Sequence, residues 1–412
     1  MADILKLTKL TYVVVFGASI INFAAGLLEP TIAPYLEVLG ASSAEIGFII
    51  SARFLVVALT SLPLALFASR ISLRLFLYIS GLVAILGGFL LALIPGVNGV
   101  YFFYLTIGLA GAIYNGPGAA LIAENTGSKR ITAFSLFFAT WMIPPALGAG
   151  LSAIWFRDVT DYNPAILASI FPISSWTLIL GGAGFIVLMV FMRGATTSSE
   201  LSAQVPIMTQ FKRLFAPIIV VPLLLLFFVE FLSGAGAGAT LPFLTPYLKS
   251  LGATPTELSV LVFILNILLG VATQLSGPLA KKFGDLKVWG VTSILSVLCL
   301  LGIVFSNTLI IAATFYILRG IFANMNAPIS SSRLLTYIDS RVRATGSAAS
   351  STCRWVGWTL SSPISGGIID NYGYNTSFIF TSVIYLVTYA IFLSVNLRFR
   401  NLEEIIQTED HS

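Results

Sequence analysis

The chain has 412 residues, of which 57% are hydrophobic and only 9% charged, with 31 Phe and a formal net charge of +5. So little polar surface cannot cover a water-soluble globule of this size, which excludes a soluble enzyme or a nucleic-acid-binding domain and points to a polytopic membrane protein. His411, the single histidine, lies in the tail, and Cys299 and Cys353 fall inside apolar runs, so no imidazole proton carrier, Cys/His metal site or disulfide framework is expected.

In chain order, apolar runs long enough to span a bilayer occupy 10–36, 45–69, 75–95, 100–123, 132–156, 171–193, 215–247, 256–280, 288–305, 308–331, 344–368 and 374–397. The first follows Asp3, Lys6 and Lys9 and has no small-residue cleavage site behind it, so it reads as a retained span and not a signal peptide. Continuous apolar runs of this length exclude barrel strands, and inside a bilayer that leaves helices. The expected fold is an all-α polytopic membrane protein with twelve transmembrane helices. The polar stretch 194–210 divides them into a six-helix bundle over 1–193, a linker over 194–214, a second bundle over 215–398 and a tail over 399–412.

Basic residues orient the chain, because short cytoplasmic loops collect Lys and Arg. Lys6, Lys9, Arg70, Arg74, Lys129, Arg130, Arg193, Lys212, Arg213, Lys281, Lys282, Lys287, Arg333, Arg341, Arg343, Arg398 and Arg400 fall on one side of the predicted spans, and only Arg157 and Lys249 on the other. Both termini are therefore expected in the cytoplasm of a cell (plasma) membrane protein.

The two halves are copies. Shifted by 212 positions, Pro30, Pro34, Tyr35, Leu36, Leu39, Gly40, Ala41 and Glu45 fall on Pro242, Pro246, Tyr247, Leu248, Leu251, Gly252, Ala253 and Glu257 without a gap. A second correspondence, Lys129-Arg130-Ile-Thr-Ala133 with Val342-Arg343-Ala-Thr-Gly346, extends the duplication to the third connection of each half, so the two bundles are pseudo-symmetric.

After span 8 comes Gly277-Pro-Leu-Ala-Lys-Lys-Phe-Gly-Asp-Leu-Lys287, and its first-half copy, Ala65 to Arg74, keeps only Arg70 and Arg74. Together with the span count, this loop resembles the Gly-x-Leu-x-Asp-Arg-x-Gly-Arg-Arg signature of major facilitator superfamily transporters, although the usual acid is Ser69 in the first copy and Lys281 in the second. Span 5 carries Pro144-Pro145-Ala-Leu-Gly148-Ala-Gly150, similar to a pattern of drug/proton antiporters; the plainer reading is close helix packing with a proline kink. Gly277 is expected to permit close helix approach, Gly284 a tight turn, and Arg70, Arg74, Lys281 and Lys282 to anchor a gating loop at the headgroups.

Ionisable residues inside spans are costly and mark functional candidates. Glu29 and Arg53 lie about 10–12 Å below the same surface at 1.5 Å rise per residue, so an ion pair is expected between them. Glu230, Arg319 and Arg354 lie near the middle of spans 7, 10 and 11. In the family resembled, spans 1, 4, 7 and 10 line the central cavity, which implies that Glu230 and Arg319 face it. Two acids against three bases leave one arginine over, which favours an anionic substrate. Asn22, Tyr114, Asn115, Asn266 and Asn324 are candidate substrate contacts, or hydrogen bonds that hold helices together. The run Ser233-Gly-Ala-Gly-Ala-Gly238 suggests either a bendable helix or tight packing.

There is no nucleophile–base pair, metal cluster or phosphate loop ending in Gly-Lys-Ser/Thr, so no enzyme, cofactor or ATP-driven pump is expected. The resemblance implies a secondary active transporter working by alternating access, with proton-coupled export of small amphipathic compounds as the first reading. Uptake or exchange of a small organic anion is the second, and a non-transporting receptor or lipid scrambler the third. The expected partners are a small-molecule substrate, protons and the bilayer, with no nucleic acid, and a monomer suffices.

Overall fold

The computed structural model describes residues 8–67, 72–125, 130–191, 220–338 and 343–399, and no strand occurs among them. In chain order the helices are α1 (Lys9–Leu28), α2 (Ile32–Val38), α3 (Ser43–Phe67), α4 (Leu73–Leu93), α5 (Gly96–Asn125), α6 (Arg130–Ala139), α7 (Ile143–Trp155), α8 (Pro164–Ala168), α9 (Phe171–Phe191), α10 (Val220–Ser250), α11 (Pro255–Phe283), α12 (Asp285–Val304), α13 (Leu309–Thr336) and α14 (Arg343–Arg398). Among the described residues 11 stretches are long and apolar enough to cross a membrane. The last of them, within α14, bends at Gly373 (φ 80°, ψ 168°) and so holds two of the expected spans. The linker, the tail and the loop residue Arg70 lie outside the described residues.

Two compact units divide the chain. The first takes the described residues within Met1–Ala41, Ala52–Ala203 and Gly252–Ile267, and the second those within Ser42–Ser51, Gln204–Leu251 and Leu268–Ser412. The opening turns of α3 thus belong to the second unit, and those of α11 to the first. Within the first unit α4 packs on α5 and α9, and α1 on α7 and α9; within the second, α10 packs on α14 and α12 on α13.

The duplicated hairpin has the same local physics in both copies. Gly40 and Gly252 turn the chain with φ of 88° and 93°, in the left-handed region that only glycine enters freely. Each is followed by a capping box. The Glu45 carboxylate accepts from the Ser42 N–H at 2.8 Å while the Ser42 hydroxyl accepts from the Glu45 N–H at 3.2 Å. Thr254 and Glu257 repeat the arrangement at the same two distances. The start of α3 has an additional cap, since the Asp370 carboxylate at the far end of α14's first half accepts from the N–H groups of Ser43 at 2.9 Å and Ala44 at 3.1 Å.

The equivalent prolines behave differently. Pro30 lies in the turn that separates α1 from α2, whereas Pro242 is carried inside the unbroken α10. A proline cannot donate to the carbonyl four residues earlier, here that of Gly238. In α10 the Ser362 hydroxyl donates to that carbonyl at 2.8 Å, and the Ser365 hydroxyl donates to the next one, Ala239, at 2.6 Å.

Glycines set the closest helix approaches, and these are again repeated. A methyl on Gly26 would lie 2.4 Å from the Pro145 carbonyl oxygen, and one on Gly238, its copy, 2.4 Å from that of Trp358. Gly234 and Gly357 complete the contact between α10 and α14: methyls there would meet the carbonyl oxygens of Arg354 at 1.8 Å and Phe231 at 2.0 Å. The Gly/Ala run of span 7 therefore serves tight packing, and α10 continues through it as regular helix.

Replacing Gly234 by Leu is expected to lower stability by about 1–3 kcal/mol or more, seen as a reduced melting temperature in detergent. Gly111→Ala, at a helical glycine whose added methyl meets nothing within 4 Å, should leave it unchanged or slightly raised. Asp370→Ala should cost about 1 kcal/mol through loss of the α3 cap, in the same assay.

Candidate functional site

The second unit collects the midplane charges. Glu230 is the eleventh residue of α10, Arg319 the eleventh of α13 and Arg354 the twelfth of α14, so each lies roughly 15 Å along its helix. The glycine-mediated approach at Gly234 sets the register of α10 against α14, and one turn before it Glu230 forms an ion pair with the Arg354 guanidinium. The Glu230 side chain is 5% exposed against 31% for Arg354, so the acid is the buried partner and the arginine reaches in to it.

Arg319 is 3% exposed. Its Nη2 donates to the Tyr385 hydroxyl at 3.0 Å, while its Nε is buried without a hydrogen-bond partner. The Arg319 guanidinium carbon also lies 5.7 Å from the centroid of the Tyr385 ring. The Arg319 carbonyl accepts from the Ser296 hydroxyl at 3.5 Å. Tyr385 is a residue that sequence reasoning missed, because a tyrosine in an apolar run reads equally well as an interface anchor.

The first unit has a looser counterpart. Glu29 caps the C-terminus of α1 with its side chain exposed, Arg53 is half-buried, and no ion pair within 4 Å joins them among the described residues. The expected contact is replaced by a longer-range electrostatic cluster in which Tyr104, 8% exposed, takes part. The physical reason is local: the helix ends at Leu28, so Glu29 occupies a turn and not the continuous helix on which the depth comparison with Arg53 rests.

The amide candidates spend donors at home. Asn266 and Asn324 donate to the carbonyls of Val262 at 3.0 Å and Gly320 at 3.1 Å, four residues back on their own helices. Asn22 and Asn115 are half-buried. The fully buried Tyr114 donates to the Val14 carbonyl and packs on Phe185, tying α5 to α1.

In the loop after α11, Gly284 makes the expected turn with φ 88°. Gly277 does not make the expected close approach: it is exposed, and a methyl there would meet nothing within 4 Å. Lys281 and Lys282 are exposed, with Lys282 Nζ 5.1 Å from the Phe283 ring centroid, and Arg74 is half-buried. The acid missing from the signature position is supplied four residues later. Asp285 takes both Nε and Nη2 of Arg333 at 2.6 and 2.9 Å, a bidentate pair clamping α12 to α13.

These features define an all-helical, multi-pass membrane protein with an ion pair between two of its apolar helices, and the profile of the Major Facilitator Superfamily matches residues 14–231 and 226–405. The chain belongs to that superfamily; it is a transporter and not an enzyme. The fold is that of known members. A crystal structure of a bacterial homolog of the human lysosomal transporter Spinster, inward-facing and unoccupied, is similar with a TM-score of 0.73 at 15% identity, over 95% of this chain and 97% of that one. The nucleoside transporter NupG (D323A mutant) has a TM-score of 0.75 at 16% identity, over 94% and 100%. No curated protein matches the chain in sequence.

Because Glu230 is the buried partner, Arg354→Met alone is expected to destabilise the protein by about 3 kcal/mol by leaving the carboxylate unpaired. Adding Glu230→Leu should restore most of the loss in detergent melting; no recovery would show that the two side chains do not act as a pair.

Proposed function

We propose that the chain is a secondary active transporter in which Glu230 carries the coupling proton, and that it exports small amphipathic compounds by alternating access. The observation that supports this is the Glu230–Arg354 ion pair, a nearly buried carboxylate held by a partly exposed arginine in the middle of two apolar helices. Protonation would neutralise the carboxylate and release the arginine, whose positive charge is then left without its partner, which is what coupling requires: a proton that changes the interaction between two helices. Glu29, with Arg53 and Tyr104 near it, is a second acid that could exchange a proton, although its side chain is not locked in a pair. Uptake or exchange of a small organic anion is the other reading, favoured by Arg319. The protein is read as a monomer in the plasma membrane with both termini cytoplasmic, built from bundles over 1–193 and 215–398.

The test is proton movement in proteoliposomes carrying an interior pH dye. Addition of a transported compound from a panel of lipophilic cations and small carboxylates should drive proton flux in the wild type, and Glu230→Gln should reduce it to the level of empty liposomes. Flux that survives in Glu230→Gln removes Glu230 from the coupling step.

A further inference from the structure

The buried charges of the second unit do not balance, and that imbalance sits on Arg319. Its described carboxylates are all engaged: Glu230 with Arg354, Asp285 with Arg333, Asp370 on the N–H groups of Ser43 and Ala44, and Glu45 in its capping box. None reaches Arg319 at ion-pair distance. A guanidinium stays protonated at any physiological pH, so Arg319 is a permanent positive charge, 3% exposed, whose hydrogen bond to the neutral Tyr385 leaves Nε without an acceptor. A lone charge at this depth is costly and is expected to find a counter-charge. Cys299 and Ser296 of α12 lie beside it, and neither supplies one.

We infer that Arg319, held by Tyr385, is the recognition group for an anionic headgroup, a carboxylate or phosphate, on the transported compound. The guanidinium fork is suited to such planar or tetrahedral oxyanions because it can donate two parallel hydrogen bonds, and Nε, on the edge whose Nη2 meets Tyr385, has no acceptor of its own. The Tyr385 hydroxyl, which accepts from Nη2, orients the guanidinium. This assignment rests on the transport reading of the same cluster, deepening it to a substrate class.

The experiment uses the purified full chain in detergent and measures binding of decanoate, succinate, glycerol 3-phosphate and tetraphenylphosphonium by calorimetry at up to millimolar concentration. At least one anionic probe should bind, with affinity falling about tenfold or more in Arg319→Gln, less in Arg319→Lys, and hardly at all in Gly111→Ala. Decanoate alone marks an amphipathic carboxylate, succinate a hydrophilic one, and glycerol 3-phosphate a phosphate ester. Binding of the cation only, of no anion, or of an anion equally well to Arg319→Gln overturns the assignment. A second measurement needs no ligand: removing an uncompensated charge in the double variant Arg319→Met, Tyr385→Phe should raise the melting temperature of the ligand-free protein, whereas a fall would make Arg319 a structural brace. The two readings separate cleanly. Anion binding without proton flux in liposomes sinks proton coupling through Glu230 and keeps the site; cation-driven flux without anion binding does the reverse.

Discussion

The close backbone approach of α10 and the first half of α14 is the constraint on which the rest of the second unit depends. Three glycines, Gly234, Gly238 and Gly357, let the two backbones touch with no side chain between them. Two consequences follow from that single contact. It brings Ser362 and Ser365 against the carbonyls of Gly238 and Ala239, which keeps α10 helical through Pro242. It also brings Arg354 level with Glu230, so the ion pair closes. In hydrocarbon, where water cannot satisfy a stray carbonyl or a stray charge, both must be answered by a neighbouring helix, and a glycine seam is the means by which the neighbour comes close enough.

Duplication gave both halves the same parts, and the halves then diverged in their charges. The turns at Gly40 and Gly252 and their capping boxes are nearly superimposable in chemistry. The buried charges are not. In the second unit a tight pair excludes Arg319, which is left with a phenol; in the first, Glu29 sits at a helix break and Arg53 stands off from it.

Much of the architecture was legible in the chain itself because its causes are local. Apolar run length set the spans, the 212-residue shift revealed the copies, Ser42-x-x-Glu45 and Thr254-x-x-Glu257 marked helix starts, and Gly284 marked a turn, since each depends on residues within a few positions of one another. Even the charge surplus was a matter of counting. Tertiary structure alone decided who meets whom. Which face of a helix a residue presents depends on rotation by 100° per position and on the neighbour's register, so matching depth suggested a Glu29–Arg53 pair that is not made, and it left undecided which arginine meets Glu230, a place the packing gives to Arg354. The partnerships of Arg319 with Tyr385, Arg333 with Asp285 and Asp370 with the start of α3 link positions 66, 48 and 327 apart, and no local pattern announces them. They exist because packed helices bring distant side chains into a medium where an unanswered polar group is too costly to leave alone.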